Sequence, residues 1–358
     1  MPEDRLSAFG SLVRSPVSFF HSPLFRRPKP MDELIRDHFS LAAGVIAALG
    51  AIVGLSVGWW SRKLCRAFDE LPDSPDAPER RLLPLPHLLA GLLAFEAYFL
   101  AALSLDCMAI TEVRPDPISI YWRAAGHLVL LTLLLAATST DLRDYIIPDQ
   151  ITLPGTIIGV VLAVASGDTQ IMHLWVDWNH PLVEIAGPEI PNWIAEHRNL
   201  HGLAWSVCGI LAGGGITLLV QRLSSLILGQ EALGLGDVTL MAMIGSFLGW
   251  QATLLVFLLS PLCGVVFGLS ARTLTNKSYI PYGPYLAAGA VLTLLGWRSL
   301  WTLEVADVFS VRRLFGDALG LAILAGIALT GFVVLLGGVR LFREIPGRER
   351  EPERETPE

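Results

Sequence analysis

Among the ionisable side chains within or at the ends of long apolar stretches, Glu96, His127, Asp141, Arg222 and Asp237 stand out. Charge is expensive in lipid, so such residues are functional candidates by default. Two of them are acids at the ends of runs. Asp141 closes the stretch 121–141, and Asp237 opens another directly after Gly234 and Gly236. Two carboxyl groups brought close together cannot both ionise cheaply, so they share one proton. Such a pair can hydrolyse a peptide bond: the ionised member takes a proton from water while the protonated member polarises the carbonyl oxygen. Helix ends separate their roles. Asp237 lies at an N-terminus, whose unpaired N–H groups and dipole favour the charged form, and Asp141 at a C-terminus, where the dipole favours the neutral form. The two glycines leave the backbone before Asp237 uncrowded, so that a substrate chain can come close. Each acid also has a plainer account, Asp237 as an N-cap or first-turn residue and Asp141 as an interfacial acid followed by Arg143 and Asp144.

The elements that must position these acids are membrane helices. The chain of 358 residues is 53% hydrophobic and only 16% charged, with a mean hydropathy of +0.54, too apolar for a water-soluble domain of this length. Apolar runs of roughly 17–25 residues mark spanning helices. They lie near 40–60, 85–105, 121–141, 151–167, 203–228, 238–249, 251–270, 283–298 and 315–340, the sixth being short for a full span. The expected fold is an all-α polytopic transmembrane bundle of eight or nine spanning helices. The first 30 residues show no secretory h-region, so the first spanning helix is expected to direct insertion.

Basic residues set the orientation. Segment 61–83 (Arg62, Lys63, Arg66, Arg80, Arg81), segment 271–280 (Arg272, Lys277) and the C-terminal tail read as cytoplasmic, whereas loops 106–120 and 168–202 carry one arginine each and read as external. Residues 1–39, with six basic residues, and Arg312 and Arg313 then fall outside, against the rule. In this arrangement Asp141 and Asp237 reach the same depth at the cytoplasmic face. Gly50, Gly54 and Gly58 repeat every four residues, a spacing for close packing against another helix, of the same chain in preference to a second copy. Cys65, Cys107, Cys208 and Cys263 form no CxxC pair, and of the loop histidines His173, His180, His197 and His201 only the last two have helical spacing, so no metal site is expected. A net charge of −7 gives no reason to expect nucleic acid.

Three stretches resemble the type IV prepilin peptidases, membrane aspartic proteases of the GxGD type. STDLRDYIIPDQITLPG (139–155) is similar to the first-aspartate motif of that family. EALGLGDVTLMAMIGSFLGW (231–250) is similar to the second, with Gly234, Gly236 and Asp237 on the GxGD positions. IPYGPYLAAGA (280–290) resembles the IPFGPYL segment that usually follows. The likeness covers roughly residues 120–298. It implies Asp141 and Asp237 as the catalytic pair, and it makes Gly234, Gly236, Glu231, Asp149, Pro281, Gly283 and Pro284 candidates for lining the site and binding substrate. Asp144, past the end of its helix, and Asp149, at a helix start, are the competing acids. The implied activity is removal of a short basic leader from type IV prepilins or type II secretion pseudopilins, by a multi-pass protein of the inner membrane acting at its cytoplasmic face without a cofactor.

The implied organisation is an N-terminal extension (1–39), N-terminal helices (40–119) with a shortened cytoplasmic loop (61–83), a catalytic core (120–298) with external loop 168–202, an added helix (299–341) and a disordered tail (342–358). Bifunctional members of the family carry a cytoplasmic N-methyltransferase domain with CxxC pairs, for which 61–83 is too short, so proteolysis without methylation is expected. Thr239 stands where the family often has lysine. Presenilin-like proteases also have GxGD but a PAL motif where this chain has PYGP. A transporter using Asp141, Asp237 and Glu96 as an ion path, and a catalytically silent assembly scaffold, are the rival readings. Glu96, mid-helix, is expected to be either protonated or paired with another helix, with His127 as the candidate partner.

Overall fold

The structure, a computed structural model, describes residues 39–68, 85–104, 119–179, 183, 189–229, 233–275, 281–305 and 309–344. Contacts divide the chain into two units, 1–45 and 46–358; the described part of the first, 39–45, is the opening of α1. The elements are α1 (Phe39–Phe68), α2 (Leu85–Ser104), α3 (Ser119–Asp144), α4 (Asp149–Ser166), α5 (Asn192–Glu196), α6 (Arg198–Leu228), α7 (Leu235–Thr275), α8 (Gly283–Leu295), α9 (Trp297–Trp301), β1 (Glu304–Val305), β2 (Phe309–Ser310), α10 (Val311–Gly316) and α11 (Ala318–Glu344). The fold is an all-α membrane bundle, with one two-residue antiparallel ladder, β1–β2, among the described residues. The N-terminal extension, loop 61–83 beyond residue 68, and the tail from 345 lie outside the described residues.

Seven helices among the described residues are long and apolar enough to cross a membrane, and α8 is a shorter apolar helix. Within α7, counted as one of the seven, Gly249 takes φ 72°, ψ 173° and breaks the helix. Gly209 of α6 packs on Gly245 and on Gly249, while Gly213, one turn further on, packs on Met241 and Thr253. One residue of α6 therefore meets positions on both sides of the break. This means that 250–275 runs back alongside 235–248 as a hairpin. The sixth and seventh sequence runs are its two arms, and the first arm, about 21 Å at 1.5 Å per residue, is shorter than the hydrocarbon core of a bilayer.

Glycine permits these close approaches. Gly50 and Gly54 of α1 face the backbone of α2 at Gly91 and His87, so the four-residue repeat serves packing within the chain. The α6–α7 contact is of the same kind. Leu130, Leu134, Met241, Ile244, Leu286 and Ala290 fill the centre of the bundle among α3, α7 and α8.

At the Gly249 end the chain 168–178 lies largely buried instead of forming an open loop, with Ile171 and Met172 nearly inaccessible and Trp175 and Asp177 exposed. A buried loop must have its backbone groups satisfied. Here side chains do so: Trp250 Nε1 donates to Leu174 O at 2.7 Å, Gln251 Nε2 to His173 O at 2.8 Å, Trp297 Nε1 to Ile171 O at 3.1 Å, and Leu174 N–H to His201 Nε2 at 3.0 Å. His201 is thus a core hydrogen-bonding residue, also 3.0 Å from Gln170 through Nδ1. No cluster of metal-binding type occurs among the described residues.

Two outcomes are expected. Gly209→Leu drives a side chain into the α7 backbone and should cost about 2 kcal/mol or more, read as a lower unfolding midpoint in detergent, whereas Gly326→Leu on α11, where the space is open, leaves the midpoint unchanged. His173 is held down at about 4 from its ordinary 6.5 by burial and then by the Arg123 guanidinium. Between those values the unfolded chain binds the extra proton, so this contribution to stability is complete above pH 6.5 and is lost as pH falls toward 4. His173→Gln should flatten that segment of a midpoint-against-pH curve.

Candidate active site

Three element ends meet at the end of the bundle opposite Gly249. α3 brings Asp141, α7 begins at Leu235 and brings Asp237, and α8 begins at Gly283. Asp141 is 5% exposed and Asp237 8%. Their carboxyl groups are close enough to act on each other electrostatically. Each takes one backbone donor from a segment at a helix start: Gly283 N–H donates to Asp141 Oδ2 at 3.0 Å, and Gly234 N–H to Asp237 Oδ2 at 3.1 Å. Helix N-termini carry N–H groups with no partner inside the helix, which is why they can serve buried acids. The Gly234 bond reaches back from the first turn of α7, so Asp237 also fulfils the helix-start role that its position suggested.

Ile147 holds the three ends together. It is buried, in the short connection between α3 and α4, and an added Cβ at Gly236 would stand 3.0 Å from its Cβ and at Gly283 2.9 Å from its Cδ1. Gly236 is therefore glycine because Ile147 occupies the space a side chain would need, a more specific reason than the open backbone expected for it. Gly234 is exposed and contributes its N–H. Tyr145, just before Ile147, has φ 57°, a conformation rare outside glycine. It sits at the end of α3, where its N–H donates to Asp141 O at 3.0 Å.

The other candidates separate. Pro281 and Gly283 are buried at the start of α8, and Pro284 takes the first positions of the helix, where a missing N–H costs nothing. Asp149 is exposed at the first position of α4 after Pro148, a helix-start acid. Glu231 lies outside the described residues. Asp144 falls inside α3, not past its end, and pairs at 3.5 Å with Arg143. His127 does not pair with Glu96: its Nδ1 lies 3.0 Å from the Tyr98 hydroxyl. Glu96 is half-buried, with no hydrogen-bond partner for Oε1 among the described residues, and Arg222 is exposed on the outside of α6.

Two residues beyond the sequence candidates belong to the site, and Tyr282, from the stretch 280–285 expected to line it, joins them. Ile147 is one. Thr239 Oγ1 donates to Gly236 O at 3.1 Å and accepts from Thr152 Oγ1 at 3.1 Å, tying the first turn of α7 to α4. Tyr282 precedes Gly283, and burial, then the Asp237 carboxylate, then Cys263 push its phenol up to about 12. The signal for Tyr282 was present in the sequence, as a hydroxyl where the resembling segment IPFGPYL has phenylalanine. A pair of buried carboxyl groups with backbone donors, a neutral phenol and water can add water to a carbonyl and cleave what is attached to it.

Residues 192–269 match the model of the type IV leader peptidase family. The chain is similar to proteins named prepilin leader peptidase/N-methyltransferase. That of Aeromonas salmonicida (strain A449) is 32% identical over 188 residues, 51% of this chain and 54% of that protein. That of Pseudomonas putida is 31% identical over 192 residues, 52% and 54%, and that of Aeromonas hydrophila 29% identical over 244 residues, 67% and 65%. The chain thus spans about half the length of the first two. No solved structure matches.

The geometry predicts how α8 responds to one methyl group. In Gly283→Ala the new Cβ falls on Asp141 Oδ2, an overlap expected to cost about 1–3 kcal/mol. Asp141→Ala in the same chain should recover part of that loss, leaving the milder contact with Ile147; a double-mutant cycle of unfolding midpoints measures the coupling.

Proposed function

We propose that this multi-pass membrane protein, whose residues 192–269 match the type IV leader peptidase family, is an aspartic endopeptidase. It removes the short basic leader of prepilins or type II secretion pseudopilins at the cytoplasmic face of the inner membrane. The observation that carries the reading is the meeting of Asp141 and Asp237, from opposite sides of the α4–α6 segment, at one end of the bundle with a backbone donor on each. The basic segments that flank the helices favour that end as cytoplasmic.

In the proposed reaction the substrate's apolar helix stays in the bilayer while its leader reaches the acids. The ionised member of the pair takes a proton from water, whose oxygen bonds to the scissile carbonyl carbon, and the protonated member gives its proton to the carbonyl oxygen. Return of a proton to the amide nitrogen releases the two halves. Glu231 and Asp149 add negative charge that attracts a basic leader. The relatives are named for two activities. The segment 61–83 here has one cysteine, Cys65, and no CxxC pair, and we assign this chain the proteolytic one.

The test is co-expression with a prepilin-like substrate. Wild type should remove the leader and leave the new N-terminus at its unmethylated mass, while Asp141→Asn and Asp237→Asn should each lower cleavage by about a hundredfold or more with normal membrane insertion. Undiminished processing by either variant would exclude the pair as the catalyst.

A further inference from the structure

We propose that Tyr282 is a third catalytic group of this site, its phenol hydroxyl donating a hydrogen bond to the carbonyl oxygen of the peptide bond being cut. The inference rests on the peptidase reading and extends it to the residue that stands where the resembling segment IPFGPYL has phenylalanine.

Placement comes first. Tyr282 is bonded to Gly283, whose N–H is held by Asp141 Oδ2 at 3.0 Å, so its backbone is fixed beside one acid. Its phenol lies within electrostatic reach of the other, Asp237. The ring stands edge-on to that of Tyr285, with centroids 6.3 Å apart and planes at 70°, which limits its rotation. Tyr282 thus bridges the two acids, through its backbone on one side and its side chain on the other.

Commitment comes second. Each carboxylate already accepts a backbone N–H. Tyr282 is half-buried, and its hydroxyl takes part in no hydrogen bond with the described residues. An uncommitted donor near Asp237, on a residue whose neighbour already serves Asp141, suits a group that arrives with the substrate. It remains protonated at neutral pH, because burial and the Asp237 charge disfavour the phenolate.

The chemistry supplies the role. When water adds to the carbonyl carbon, the electron pair of the C=O bond moves onto oxygen, which is neutralised by the proton of the protonated acid. A second donor at that oxygen lowers the barrier before the proton has fully crossed. Tyr282 keeps its own proton throughout, and no other reactant is needed. Losing one such donor typically costs about 10²–10³ in rate, and here less, about tenfold or somewhat more, since an acid serves the same oxygen.

Full-length protein in detergent, with a peptide joining a basic leader to an apolar segment, tests the assignment. Phenylalanine fits the place of the ring, so Tyr282→Phe should keep the unfolding midpoint and KM while kcat falls about tenfold or more. Its affinity for a peptide with a hydroxyethylene at the scissile bond should fall by the same factor, while that for a reduced amide, which lacks the oxygen, stays unchanged. Undiminished kcat, or a fall in kcat with unchanged hydroxyethylene binding, overturns the assignment. If that happens while Asp141→Asn and Asp237→Asn are inactive, the peptidase reading stands and Tyr282 alone falls; a wild type that cleaves nothing removes both.

Discussion

A carboxyl group buried at the edge of a bilayer needs hydrogen-bond donors, and in a helical bundle nearly every backbone donor is already used inside its own helix. Only helix starts have N–H groups to spare. That constraint accounts for the place of the site. Asp141 reaches the start of α8 at Gly283, and Asp237 turns back to Gly234 at the start of α7. Were the acids moved two turns into the bundle, the same donors would be out of reach. Because both starts must lie beside the last turns of α3, the fit between them becomes tight, and Ile147 against Gly236 and Gly283 is the contact in which that tightness shows.

The opposite end answers the same constraint in another way. The chain 168–178 is largely buried without secondary structure, and the groups that satisfy it come from side chains, the indoles of Trp250 and Trp297 and the amide of Gln251. Trp250 and Gln251 follow Gly249, the apex of the α7 hairpin. The first arm of α7 is therefore anchored at its far end by this tie and at its near end by the Thr152–Thr239–Gly236 chain. An arm fixed at both ends sets the depth of Asp237. The buried loop, which the sequence presents as an external addition, thus helps to position the acid.

The apolar runs were legible in the sequence because lipid selects for length and composition, and the described helices follow them to within eight residues at their ends. The hairpin was legible in part, as a sixth run too short for a full span that ends at Gly249, directly before the seventh. Burial of 168–178 was not, because its histidines and tryptophans are the residues an interfacial loop also uses, and only the partners of Trp250 and His201 distinguish the cases. The acids were legible through cost: an aspartate next to an apolar run must have a reason. Glu96 was singled out on the same ground, yet the partner expected for it, His127, is bonded to Tyr98 instead. Ile147 could not be found, since an isoleucine near a proline has no signature apart from the two glycines, distant in sequence, that make room for it.

Thr239 bears on how the pair is tuned. A lysine two residues after the acid would lie near it in the first turn and would favour a full negative charge there. The threonine instead spends its hydroxyl on Gly236 O and on Thr152, and among the described residues neither acid makes an ion pair with a cation. In the proposed reaction, two neighbouring carboxyl groups with one backbone donor apiece and no positive side chain share one proton. A hydrolytic pair needs that unequal state, one member able to take a proton and the other able to give it. In this chain neutral side chains around the acids favour it, so a departure that first reads as a missing partner fits the proposed chemistry.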